Sequence, residues 1–395
     1  MAVEIFNEQK YIDASNKALL FITSQKIVNK MKRLFLWIIP MLIWSTSCDK
    51  NVQVQEDLPR SGDVYVAGTV DGKAVLWKNG VAQNLTDETL DAEASSVFVS
   101  GNDVFVAGTV DGKAVLWKNG IAQNLSDGGA NSVFVFGNDV YVAGYETNKQ
   151  GYYVATTWSN GIAQNLTDGT SYAVAKSVFV YDGNVYVVGD ERTEKDFYSE
   201  QTFAKVWKNG VVQDFFEDNK AVRANSVFVY GGNIYVAGVG IDFGYAAIVW
   251  ENGIAQHLDG GYSIYSDAYA NAVFVSGNDV YVAGRMSGRT HHYGKLWKNG
   301  EATVEYGETI FTSIYVTGED CYVAGRSVGG FAILLKNGIS QILAQGTIGS
   351  VTSANSIFGG VAKNLIYLFH AKPQSRKERN FAPKNFASLR LCEII

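Results

Sequence analysis

Residues 69–80 read TVDGKAVLWKNG, and residues 109–120 read the same. Twelve identical residues forty positions apart ask one question. Either a binding motif is used twice, or a building block is reused for shape. Three phrases recur in fixed order around the pair. SVFV stands at 96–99, 132–135, 177–180 and 226–229, with AVFV at 272–275, SIYV at 313–316 and SIF at 356–358. VYVAG or a close variant starts at Val64, Val104, Val140, Val185, Ile234, Val280 and Cys321. WKNG or a variant starts at Trp77, Trp117, Trp158, Trp207, Trp250 and Trp297, with Leu335 opening the seventh copy. The spacings between these last phrases are 40, 41, 49, 43, 47 and 38 residues, the period of a repeat architecture.

Each unit contains four short strand candidates. SVFV and VYVA are β-branched and aromatic runs, and SGND, FGND, YDGN, YGGN and TGED between them are hairpin turn signals. The third strand ends at the Trp, and Asn-Gly follows in all seven units, at 79–80, 119–120, 160–161, 209–210, 252–253, 299–300 and 337–338. Both residues tolerate positive φ, as the type I′ turn demands. VAQNL or a relative supplies the fourth strand, and no sustained helical period appears. Four antiparallel strands per ~40–45 residues is the pattern of a β-propeller blade. The expected fold is therefore all-β: a seven-bladed β-propeller of four-stranded antiparallel blades over 61–358. The chain enters this region at VYVAG and leaves at SANSIF (353–358). Pairing these N- and C-terminal strands closes the ring and removes exposed edges. The units lack the Trp-Asp pair of WD40 and the Gly-Gly pair of kelch. They resemble the HAF family of bacterial extracellular repeats, whose units combine a VVG-like strand with an A.LW.NG strand. That resemblance implies architecture and carries no assigned chemistry.

Composition agrees with a turn-rich β protein: of 395 residues, 41 are Gly and 4 are Pro, with no Pro between Pro59 and Pro373. Three scattered cysteines, Cys48, Cys321 and Cys392, form neither a disulfide framework nor a zinc site. The net charge of −6 is uneven. Residues 60–359 hold 19 basic and 31 acidic residues, a net of −12 that argues against nucleic-acid binding.

Residues 31–48, MKRLFLWIIPMLIWSTSC, carry a basic start, an eleven-residue apolar run, small residues and a Cys. This is the layout of a secretory signal, and the run is too short to span a bilayer. Small residues before Cys48 resemble the lipobox of bacterial lipoproteins, although Ser45 stands where that family usually has an aliphatic residue. The resemblance implies cleavage before Cys48 and lipid on its sulfur. The expected organisation is 1–30 as an extra segment preceding the true start, 31–47 as signal peptide and 48–60 as tether. The repeats follow, and 359–395 is an irregular basic tail. The expected location is the bacterial outer membrane, with membrane contact through the lipid anchor only.

Alternating strands put the short, uniform turns at one end of each unit and the long, variable connections at the other. Function is sought at the variable end, because loops on a rigid scaffold are where sites are built. It gathers Tyr145, Tyr152, Phe197, Tyr198, Phe243, Tyr245, Tyr262, Tyr265, Tyr269 and Tyr293 with Asp190, Arg192, Arg285, Arg289, His291, His292 and Arg326. Rings among Arg and Asp suit a glycan or an envelope protein. The favoured ligand-binding residues are Tyr198, Tyr245, Tyr265, Arg285, His291, His292 and Arg326. A second set, Ser95, Asn131, Lys176, Asn225, Asn271, Thr312 and Asn355, precedes each innermost strand core and is expected to ring a central channel. These groups would hold a ligand or waters, or simply cap the strands.

The six Trp are expected in the core between units, and the Asp-Gly of TVDG in a turn rather than a calcium loop. No nucleophile elbow, phosphate loop or dinucleotide fingerprint is present. The expected protein is a monomeric binding or scaffold protein without catalytic residues, metal or cofactor. The alternative is a polysaccharide lyase or glycoside hydrolase using His291 and His292 or the carboxylates at 190–200.

Overall fold

The computed structural model describes residues 62–87, 91–194, 200–216, 221–241, 244–260, 267–288, 291–347 and 349–359. All lie within the compact unit Leu58–Ile395. Cys48, the signal, the tether and the basic tail fall outside the described residues, as do Tyr198 and Tyr265.

The described chain is all-β and wholly antiparallel. Strands β1 (Val64–Val70), β2 (Lys73–Lys78) and β3 (Val81–Asn84) are consecutive neighbours. A seven-stranded sheet follows: β4 (Ala92–Ser100), β5 (Asp103–Val110), β6 (Lys113–Lys118), β7 (Ile121–Phe136), β8 (Asp139–Thr147), β9 (Tyr153–Ser159) and β10 (Ile162–Asn165). Next come β11 (Tyr172–Tyr181), β12 (Asn184–Glu194), β13 (Glu200–Lys208) and β14 (Val211–Gln213). The fourth sheet holds β15 (Ala221–Tyr230), β16 (Asn233–Ile241), β17 (Tyr245–Glu251) and β18 (Ile254–Gly260). The fifth holds β19 (Asp267–Ser276), β20 (Asp279–Ser287), β21 (His292–Lys298) and β22 (Glu301–Gly307). The sixth holds β23 (Thr309–Thr317), β24 (Asp320–Ser327), β25 (Phe331–Lys336) and β26 (Ile339–Gln345). Last, β27 (Thr352–Gly359) returns to pair with β1, from Val64↔Gly359 to Val70↔Thr352. Five sheets thus have the expected four strands. The seven-stranded one departs from that pattern because β7 runs unbroken from the second unit into the third. It pairs with β6 through its first half and β8 through its second. Gly128 and Gly129 lie at the crossover, where a Cβ would meet the Tyr145 carbonyl oxygen at 2.0 Å or the Tyr145 ring at 2.8 Å.

The repeated phrases now have physical reasons. In VYVAG, the glycine faces a β-bulge on the strand before it. The bulged residue is Ser95, Asn131, Lys176, Asn225, Asn271, Thr312 or Asn355, where the register skips one position. A bulge pushes a carbonyl oxygen towards the opposite strand. A Cβ on Gly108 would lie 1.9 Å from the Glu93 oxygen, and one on Gly284 would lie 2.0 Å from that of Tyr269. Only glycine fits such an approach. The Trp of the third phrase packs beside that glycine, and all six Trp are buried to 1% exposure or less, in the core as expected. Leu335 replaces the Trp in the seventh unit and, with the buried thiol of Cys321, lines a cavity of about 40 Å³.

WKNG closes a clasp at the turn end. Each of the seven asparagines has φ between 49° and 54°. The Asn119 side-chain oxygen accepts from the Val104 N–H at 2.8 Å, and its amide donates to Asp103 at 2.8 Å. Asn299 repeats this on Val280 and Asp279, and Asn337 on Cys321 and Asp320. Lys118 pairs with Asp103 at 2.8 Å and lies over the Phe105 ring. One hairpin is thereby locked to the next in the same sheet. TVDG forms the matching turn at the other end: Asp71 and Asp111 have φ of 51° and 47°. Their carboxylates accept backbone N–H groups of Thr347 and Asp91, the turn role expected for them.

The innermost strands hold the sheets to one another. Six serines accept a neighbour's backbone N–H at 3.2 Å, beginning with Ser96 from Val133 and ending with Ser356 from Val97. Seven rings make a circuit of contacts that returns to its start. Phe98, Phe134, Phe179, Phe228, Phe274, Tyr315 and Phe358 touch in that order, with centroids 4.5 to 5.4 Å apart.

Candidate functional site

The seven polar residues expected around a channel are the seven bulge residues, and most of their polar groups are already used. Asn131 donates to the Ala175 carbonyl, Asn225 to Ala270, Asn271 to Phe311 and Thr312 to Ala354, at 2.6 to 2.9 Å. Asn355 donates to the Ala94 carbonyl and to Glu93. Each bond ties one sheet to the next. The observed geometry is that of inter-sheet staples. The seven rings beside them line an apolar space of about 140 Å³, together with Val97, Val133, Ile314 and Ile357. Apolar walls do not hold a file of waters, which needs polar partners. Burial pushes the Tyr315 hydroxyl up to about 12, so it stays neutral there.

Lys176 is the charged member of the bulge residues. Its ammonium pairs with Asp190 and donates to Asn225 at 3.1 Å. The Ala224 N–H also donates to Asp190, at 3.0 Å. Burial pushes the Asp190 carboxyl above its ordinary value, while Lys176, Ala224 and Arg223 pull it back.

The residue after each VYVAG glycine, and its partner two places before the bulge, make up the loop end of each innermost hairpin. The pairs are Thr69↔Ser353, Thr109↔Glu93, Tyr145↔Gly129, Asp190↔Val174, Val239↔Arg223, Arg285↔Tyr269 and Arg326↔Ile310. Charge is divided among them. The second unit carries Glu93, raised by burial and by neighbouring Asp91. The fourth unit carries Asp190, paired with the bulge residue Lys176, and units five to seven carry Arg223, Arg285 and Arg326.

Arg285, Tyr269 and Tyr245 form the best-defined cluster. The Arg285 guanidinium lies over the Tyr269 ring, 4.3 Å from its centroid. Tyr245, partly exposed, has its ring 5.9 Å from that of Tyr269, and its N–H is held by Asp267 at 3.1 Å. Burial and Asp267 raise the Tyr269 hydroxyl, against Arg285 and Arg223. A second aromatic group, Tyr145, Tyr152, Tyr153 and Tyr172, packs on itself at 4.3 to 5.5 Å. Those rings pack the loops of the third unit on one another and carry no cation stacked at the 4.3 Å of Arg285 on Tyr269.

Tyr245 and Arg285 both lie against Tyr269, and the other described candidates have different neighbours. His291 is bound to Glu308 at 2.6 Å, and His292 to Ser287 at 3.0 Å. The adjacent pair therefore faces two different partners. Arg326 is exposed in register with Ile310 and Ala332. Glu191 is taken by Lys205 at 3.0 Å and Ser171 at 2.7 Å. Among the described residues, no group of three His, Cys, Asp or Glu is placed to hold a metal. Arg223 escaped sequence reasoning, and so did Glu93. Their signal was positional: both stand two residues before a bulge, opposite the residue that follows the invariant glycine.

No protein-family model matches the chain, and no curated protein matches it. Solved structures similar in shape include apo AztD from Citrobacter koseri, at 11% identity and a TM-score of 0.41, over 76% of this chain and 99% of that one. Puromycin hydrolase, in an S511A mutant complexed with PGG, matches at 13% identity and a TM-score of 0.49, over 74% of this chain. This chain spans 54% of that enzyme's length. The β-propeller domain of the Trilobed protease from Pyrococcus furiosus matches at 10% identity and a TM-score of 0.46, over 73% of this chain and 94% of that one.

Proposed function

We propose that this chain is a seven-bladed β-propeller, closed by β27 on β1, that captures a glycan or an envelope protein on its loop end. The seven-membered circuit of rings supports the blade count, with β7 serving as outer strand of one blade and inner strand of the next. In this reading it is a monomer exported to the bacterial outer membrane and held there by lipid on Cys48. The order of charges, apolar run and small residues in MKRLFLWIIPMLIWSTSC supports that part. The single observation that carries the binding role is the Arg285–Tyr269–Tyr245 cluster, apolar faces and a cation fixed on a rigid hairpin. Asp190 and Glu191 are engaged in ion pairs, which favours binding over acid–base chemistry.

A glycan array with the purified chain, followed by product analysis on every hit, tests the role. Saturable binding with unchanged glycan is expected, and release of new reducing ends overturns it. For the anchor, radiolabelled fatty acid should enter the chain in cells and fail to enter Cys48→Ser. Equal labelling of both removes the anchor from the proposal.

A further inference from the structure

We propose that the Arg223–Tyr269–Arg285 cluster recognises a carboxylate-bearing saccharide, a uronate. The inference rests on the reading of the loop end as a binding surface and names the chemistry it selects. Arg285 and Tyr269 are direct cross-strand partners on β20 and β19. The bulge at Asn271 and the glycine at 284 fix the backbone beneath them. Stacking at 4.3 Å holds the Arg285 guanidinium over the ring without using its N–H donors on a carboxylate. Arg223 holds in the neighbouring sheet the position that Tyr269 holds in this one, and its charge acts on both Tyr269 and Asp190. Among the described residues, neither Arg223 nor Arg285 forms an ion pair.

Arg223 and Arg285 keep their donors free of carboxylates in a body whose net charge is −12 over residues 60–359. Lys118, Lys176, Lys205, Lys298 and Lys336 are each paired with a carboxylate, whereas the guanidinium of Arg285 is held on a ring beside a second arginine. At this site the carboxylate is left to the ligand. A guanidinium binds a planar carboxylate through two parallel N–H donors, which a point charge does not reproduce. Tyr245 adds the second element. Its ring is partly exposed and 5.9 Å from Tyr269, a flat apolar surface for the C–H face of a pyranose. A neutral sugar uses the ring and leaves both guanidinium groups unmatched, whereas a uronate uses both.

The test is equilibrium binding of the purified full chain to four polymers: polygalacturonate, its methyl-esterified form, dextran sulfate and poly-glutamate. Polygalacturonate should bind, and esterification should weaken it by about tenfold or more, the equivalent of one charge-assisted contact. Arg285→Ala and Arg285→Lys should both lose about tenfold, since lysine keeps charge and not the fork. Lys113→Ala, which removes a cation from the second unit, should bind as the parent does. Binding should also weaken as salt rises from 0.05 to about 0.5 M. Equal binding of the esterified polymer overturns the inference and leaves a glycan-binding loop end standing. Preference for dextran sulfate or poly-glutamate overturns it in favour of a sulfated or acidic-peptide ligand. Binding of none, with Lys113→Ala and the parent both folded by circular dichroism, overturns this inference; if the glycan array also yields no hit, the glycan arm of the binding role falls too.

Discussion

At the turn end of the sheets, seven asparagines share one left-handed conformation, and Asn119, Asn299 and Asn337 make the same pair of hydrogen bonds. At the loop end, the position after the glycine is filled by Thr69, Thr109, Tyr145, Asp190, Val239, Arg285 and Arg326. Both ends belong to the same hairpins, so backbone geometry is not what separates them. The turn-end side chains bond to their own backbone and to each other, and every substitution there breaks a local partner. The loop-end side chains lie beyond the bulge and share no such pattern: Thr69 and Val239 are buried, Asp190 is paired with Lys176, and Arg326 is exposed. Repetition marks structure in this protein, and the position after the glycine is where it stops.

This contrast can be broken in order of effect. Gly108→Ala should be the most damaging change to an invariant position. Its Cβ would meet the Glu93 oxygen at 1.9 Å, and backbone cannot give way. Loss of the cooperative unfolding transition in urea is expected, and a parent-like midpoint would show that the bulge does not dictate the glycine. Trp117→Ala should follow, with about 3–5 kcal/mol lost to a cavity in the same measurement. Asn119→Ala removes two hydrogen bonds and forces alanine to positive φ, at a cost of about 1–2 kcal/mol. Against these, Tyr245→Ala should change stability by about 0.5 kcal/mol or less while weakening ligand capture. A large loss of stability there would make Tyr245 a packing residue.

The smallest effect is a difference in sign. Lys336 and Asn337 hold the Asp320 carboxyl below its ordinary 3.8. Its folded form favours the charged state, so it adds stability above pH 3.8 that disappears as pH falls through the lowered value. Asp320→Asn should therefore shrink the loss of Tm between pH 5 and about pH 2.5. Glu93 is raised above 4.5 by burial, so its charge opposes folding once pH exceeds 4.5. Glu93→Gln should raise Tm at pH 7 and leave it unchanged at about pH 3. The same sign for both variants would mean that the two ends are electrostatically alike.

Much of the fold was legible because each phrase encodes its own geometry. Asn-Gly states the turn, VYVA and SVFV state strands, and a Trp at one register states a core layer. The long β7 was hidden because nothing local distinguishes a fourth strand that ends from one that runs on into the next sheet. At the site, Tyr245 and Arg285 were readable as an aromatic and a cation in variable loops. Arg223 was not, because its relation to Tyr269 exists across two sheets and 46 positions of sequence. The polar bulge residues were readable as a set, and the carbonyls they bond were not. Their amides face the neighbouring sheet, a direction fixed only when the bulges form.

The sequence by itself determined the repeat, its strands and turns, and the place where repetition stops. These depend on interactions within a few residues, which a linear pattern records. Tertiary structure decided which polar groups are consumed in stapling sheets, which carboxylates are paired with lysines, and which arginine is stacked on a tyrosine ring. Pairing of charges is settled by distance between sheets, and no spacing along the chain carries that information.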